Sequence, residues 1–92
     1  MPQILKVGSY VVYFWSNEVR PLEYVHVHVA SKRPTVDATK LWITSEGGVV
    51  VCHNDSQIPP EVLRKIVRVV EANSKEIVAT WVRLFGEARY YC

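Results

Sequence analysis

Tyr24-Val25-His26-Val27-His28-Val29 alternates without a break. In an extended chain, side chains two apart share a face, so three valines line one side and Tyr24, His26 and His28 the other. A period of two suits no helix, and the stretch predicts a strand with one apolar face and one polar face. A strand of this kind buries its valines only inside a sheet that a second layer covers. The remainder of the chain has to supply both.

Ile4-Leu5-Lys6-Val7 is a short extended run ended by Gly8-Ser9, a tight-turn signal, and the β-branched and aromatic run Tyr10 to Trp15 leaves that turn as a second strand. A further strand fits within Val36 to Thr44. Gly47-Gly48 then turns the chain back into Val49-Val50-Val51-Cys52 as a second hairpin. Pro59-Pro60 stops any strand, and proline at a first helical position predicts a helix from Pro60 to about Ala72. Leu63, Ile66, Val67 and Val70 form its buried stripe. Asn73 with Glu76 has the spacing of a capping box, opening a second helix that turns Ile77, Trp81, Leu84 and Phe85 inward and stops at Gly86. One unbroken helix from Pro60 to Phe85 is the competing arrangement. The expected architecture is α+β: a small curled antiparallel sheet of four to five strands with one or two C-terminal helices packed on one face, in a single domain spanning residues 1–92.

Composition excludes several classes. Of the 92 residues 49% are hydrophobic and 22% charged, the balance of a globular domain and not of a disordered chain. The longest apolar runs fall far short of the roughly 20 residues a membrane helix needs, and Lys6 interrupts the N-terminus with no signal-peptide core behind it. A cytoplasmic location with no membrane contact is the expectation. The net charge of +2 mixes both signs along the chain, without the basic excess of a phosphate-gripping protein. Cys52 and Cys92 read as free thiols, since a secreted domain of this size carries a fuller disulfide framework.

Only one constellation promises chemistry. His26 and His28 on one strand face stand roughly 6.5–7 Å apart at Cα, a spacing suited to a general acid–base pair flanking a phosphate or to two ligands of one metal. The plainer reading is a polar, solvated face that happens to carry two imidazoles. Cys52-His53 are the residues that would complete a metal site, but the spacing fits no ligand signature, and no metal is expected. No glycine-rich phosphate loop, G-x-S-x-G or H-E-x-x-H is present, so no cofactor is expected either. Among the aromatics, Trp42 alternates with Leu41 and Ile43 and is the candidate for an exposed stacking surface, whereas Trp81 belongs to the helix core.

The chain as a whole resembles the bacterial family catalogued as domain of unknown function 4160. The likeness begins at Met1-Pro2-Gln3-Ile4-Leu5-Lys6-Val7-Gly8 and the aromatic strand into Ser16-Asn17-Glu18. It continues through His26-Val27-His28-Val29, the family's H-x-H-V signature, and Thr39-Lys40-Leu41-Trp42-Ile43. It closes with the Glu61 to Asn73 helical segment, Trp81 and Phe85-Gly86. Where family members place a Pro-Pro directly before the first histidine, this chain has Arg20-Pro21-Leu22-Glu23-Tyr24-Val25.

The resemblance implies a small bacterial protein encoded beside a second small family, in the manner of a type II toxin–antitoxin module, with this chain as the toxin and an antitoxin protein as its partner. Ser16, Asn17, Glu18, His26 and His28 match the family's polar signature. Their residue types suit RNA cleavage, with His26 and His28 moving protons, Glu18 orienting an imidazole, and Ser16, Asn17 and Trp42 binding. For this the two histidines are expected on an accessible face. The reading from another class is a non-catalytic protein-interaction module that binds a protein through a sheet edge or an exposed aromatic patch, and sheet-edge pairing also makes a homodimer an expected state.

Overall fold

The computed structural model describes residues 3–15 and 23–92. Five strands, β1 (Gln3–Val7), β2 (Tyr10–Tyr13), β3 (His26–Ser31), β4 (Thr39–Ile43) and β5 (Val49–His53), precede two helices, α1 (Pro60–Ala72) and α2 (Ser74–Phe85). The strands form one antiparallel sheet whose spatial order is the chain order, β1-β2-β3-β4-β5. This is the expected α+β arrangement, with β1 and β5 as its two edges.

The hairpin signals act where the sequence puts them. Val7 pairs with Tyr10 across Gly8-Ser9, and Gly8 takes a φ of 60°, the positive value a two-residue turn wants at its first central position. Ile43 pairs with Val49 across the second turn, where Thr44 N–H donates to the Gly48 carbonyl and Gly47 sits at φ 87°. A Cβ at Gly47 would lie 3.0 Å from Ser74 Oγ, whereas one at Gly8 would meet nothing within 4 Å. Gly47→Ala is therefore expected to cost about 1–2 kcal/mol, and Gly8→Ala less. Urea midpoints of the two variants measure the difference.

The valine face becomes the core. Val12, Val27, Val29, Leu41 and Ile43 pack with Ile66 and Val70 of α1 and Ile77 and Trp81 of α2. The helix start at Pro60 falls where expected, but the break at Asn73 is not a capping box. Asn73 Nδ2 donates back to the Val69 carbonyl, 2.8 Å away, and no side chain caps α2. The amide is committed to closing α1 and is unavailable to open α2. Leu84 is a second correction: it is exposed, and Ile77, Trp81 and Phe85 turn inward together with Val78.

The fourth strand is shorter than its apolar pattern, beginning at Thr39 and not near Val36, which is exposed. Thr39 is fully buried, and its hydroxyl donates to Asn54 Oδ1 at 2.5 Å and meets Ser56 Oγ at 2.6 Å. Asn54 in turn accepts from Ile58 N–H and donates to the Ile58 carbonyl. These bonds fix the turn that carries the chain from β5 to α1. They explain why a strand starts at Thr39: its N–H and its hydroxyl are both held by that turn.

The second face of the sheet is also covered. Val11, Tyr13, Ala30 and Ala38 form a small cluster with Trp15 against it. The Tyr13 hydroxyl donates to the Thr35 carbonyl at 2.5 Å and accepts from Thr35 N–H at 2.9 Å, tying the β3–β4 connection down over this face.

Candidate functional site

Cross-strand register builds the site. Tyr13 of β2 stands opposite His28 of β3, His28 opposite Lys40 of β4, and Lys40 opposite His53 of β5. Residues directly opposite in antiparallel strands share a face, so these four form one row across the sheet. A register shift between Lys40 and Leu41 brings His53 into the row where unbroken alternation would place Cys52. Trp42 pairs with His26 one row along.

The two histidines come together but not at the surface. Their rings lie 5.1 Å apart, nearly perpendicular. His28 stacks on Tyr13 at 5.7 Å, and His26 lies edge-on to Trp81 at 5.3 Å. His26 is 1% exposed and His28 6%. The expected accessible histidine face is therefore corrected: Tyr13, Trp81 and the neighbouring imidazole enclose both rings. Amphipathic alternation assumes one solvated face, and here both faces of β3 are buried.

His26 Nδ1 carries its proton, because it lies 2.7 Å from the Tyr24 carbonyl, which can only accept. In the neutral ring this leaves Nε2 as the acceptor.

The open end of the row is charged. Lys40 Nζ pairs with Glu23 Oε1 at 3.0 Å, and His53 Nδ1 lies 3.4 Å from Asp55 Oδ2. Lys40 was not singled out by sequence. Only register, which alternation within one strand cannot supply, places it between His28 and His53. An ammonium between the two imidazoles is the wrong group for a shared metal, and among the described residues no three His, Cys, Asp or Glu side chains cluster to hold one. Cys52 is partly buried, Cys92 is exposed, and both thiols are free.

Trp42 is half-buried, and the Tyr91 ring stacks on it at 3.7 Å with Tyr24 edge-on at 6.2 Å. The face expected to receive a base is thus occupied by the C-terminal segment. That segment is well tied: Val25 N–H donates to the Arg89 carbonyl, Ser45 N–H to that of Cys92, and Trp81 Nε1 to that of Glu87. Cys92 is accordingly anchored through its backbone and not frayed. Tyr91→Ala is expected to uncover Trp42, seen as a red-shifted and more quenchable tryptophan emission, at a cost of about 1 kcal/mol for the lost ring pair. The remaining candidates, Ser16, Asn17 and Glu18, lie outside the described residues.

A five-strand antiparallel meander backed by two C-terminal helices, with a histidine pair sealed in its sheet, defines a small α+β domain whose signature is built into the core. The chain belongs to the family Domain of unknown function (DUF4160), whose model matches residues 9–82. No curated protein and no solved structure matches it. No described helix is long and apolar enough to cross a membrane.

Proposed function

We propose that this chain is the toxin-like member of a two-gene pair and acts by binding protein, not by cleaving RNA. The observation that carries this reading is the burial of the signature histidines. A general acid and base must reach hydrogen-bonding distance of a substrate, and rings 1% and 6% exposed offer a phosphodiester no approach. What stays open is the edge of the sheet, the part of a β-protein most disposed to pair with another chain. The role as one partner of a toxin–antitoxin-type module rests on the family resemblance. The histidine pair then serves as a polar rivet within the fold.

The test joins two measurements on the purified chain. Light scattering with the neighbouring gene product should give the summed mass of a complex. Incubation with total bacterial RNA should give no cleavage between pH 5 and 8. RNA cleavage lost in His28→Gln with an unchanged far-ultraviolet dichroism spectrum would overturn the binding reading in favour of catalysis by His26, His28 and Glu18. The 5.1 Å separation of the two rings is the observation that keeps that second reading in view.

A further inference from the structure

Strand β5 is an edge, and its free side does not meet bare solvent along its length. Thr44 N–H bonds the Gly48 carbonyl, so Thr44–Gly48 and, two residues on, Trp42–Val50 are hydrogen-bonded pairs. The peptide groups of Val49 and Val51 consequently point outward. The N–H of Val49 is already taken, because Glu71 Oε2 of α1 accepts from it at 3.2 Å. The carboxylate stands where the carbonyl of an added strand would stand. At Val51 no side chain among the described residues plays that part, and Val51 is 41% exposed.

Beside Val51 runs a groove of about 430 Å³ lined by Val51, Pro60, Leu63, Arg64, Val67 and Arg68. Its floor is apolar, and among the described residues lining it the only charges are two guanidiniums. Neither Arg64 nor Arg68 forms an ion pair with a described carboxylate, the described pairs being Lys40–Glu23, His53–Asp55 and Arg89–Glu87. The two arginines are four residues apart on one helix, about 6 Å along its axis. Alternate residues of an extended strand are about 6.6–6.8 Å apart. A strand laid along β5 and antiparallel to α1 can therefore set two carboxylates, at positions i and i+2, against Arg68 and Arg64, with an apolar side chain at the next position on that face level with Pro60.

From these features the geometry points to a β-addition site for an acidic extended segment of a partner protein: a sixth strand pairing with Val51, whose Glu-x-Glu or Asp-x-Asp face is held by Arg64 and Arg68. A second copy of this chain suits the groove less well, because two-fold pairing of β5 with itself brings Arg64 and Arg68 against the same residues of the other copy. The inference rests on the binding reading proposed above and assigns it a surface and a partner chemistry.

The probe is a fluorescein-labelled peptide, Gly-Thr-Glu-Thr-Glu-Thr-Val-Thr-amide, titrated with the full chain and followed by anisotropy at low salt. Saturable binding is expected, weakened by added salt and at least tenfold weaker when both glutamates are lysine. Arg64→Glu with Arg68→Glu should lower affinity at least tenfold, the fold being checked by dichroism. Val51→Pro removes an outward N–H that no ladder bond uses, a substitution an edge strand tolerates, and it should lower affinity to a similar extent. No binding by the parent chain, equal binding of the lysine peptide, or unchanged binding by Val51→Pro would each overturn the site. So would a stable homodimer that Val51→Pro dissociates, since the edge would then belong to a second copy. If the neighbouring gene product binds and Arg64→Glu with Arg68→Glu leaves its affinity intact, the surface is wrong while the binding reading stands. If that product fails to bind while the peptide binds as described, the binding reading falls and the surface remains.

Discussion

Trp81→Ala is expected to cost about 3–5 kcal/mol, the usual loss for truncating a buried large aromatic. Trp81 is 1% exposed and is the hub of the helix-to-sheet contact. Phe14 meets it edge-on at 5.4 Å, Phe85 at 4.6 Å and His26 at 5.3 Å. Its Nε1–H donates to the Glu87 carbonyl at 3.0 Å, so truncation also releases the chain beyond α2. A 92-residue chain has about 5–14 kcal/mol of stability in all. The loss is thus a large share of the whole, at about 4–8 °C of melting temperature per kcal/mol. Trp81→Phe keeps most of the packing and loses the N–H donor, so its cost should fall to about 1–2 kcal/mol. Calorimetric melting of the two variants checks both figures, and near-equal losses would mean that the hydrogen bond, not the ring volume, carries the contact.

His26→Ala is the second variant with a large expected effect. On an accessible catalytic face it would leave stability unchanged. Enclosed as the ring is, the substitution opens a void beside Trp81 and His28 and strips the Tyr24 carbonyl of its donor, for about 2–4 kcal/mol in total. Guanidinium denaturation should show a lower midpoint with an unchanged slope. A midpoint equal to the parent's would return the imidazole to the surface and restore the case for catalysis.

The contrast between those two residues shows what the sequence made legible. Trp81 sits on a stripe with Ile77 at helical spacing, and one helix buries only one stripe, so its place in the core could be read directly. His26 sits on a strand, whose two faces are equivalent until the covering layers are known. Alternation separated the histidines from the valines correctly, but it could not show that the Thr35 segment folds over the second face, because that depends on the Tyr13 hydroxyl twenty-two positions away. Hairpin signals at Gly8-Ser9 and Gly47-Gly48 were local and held. Asn73 had the spacing of a cap and a different use, since its amide found the Val69 carbonyl first. Lys40 joined the row through the β3–β4 register and His53 through a register shift, features of paired strands that one strand's sequence does not encode.

A sheet whose spatial order repeats its chain order has a consequence during synthesis. Each ladder joins sequence neighbours, so all five strands can zip together hairpin by hairpin, with small loop-closure entropy and no threading. The layer that covers Val12, Val27, Leu41 and Ile43 is made only afterwards, from residues 60–85. At ribosomal rates of about 5–20 residues per second, residues 54–85 are added within about 2–6 s after the last strand. A sheet that forms without residues 60–85 presents this apolar face uncovered, so the two helices, last in the chain, are what make the sheet safe from association.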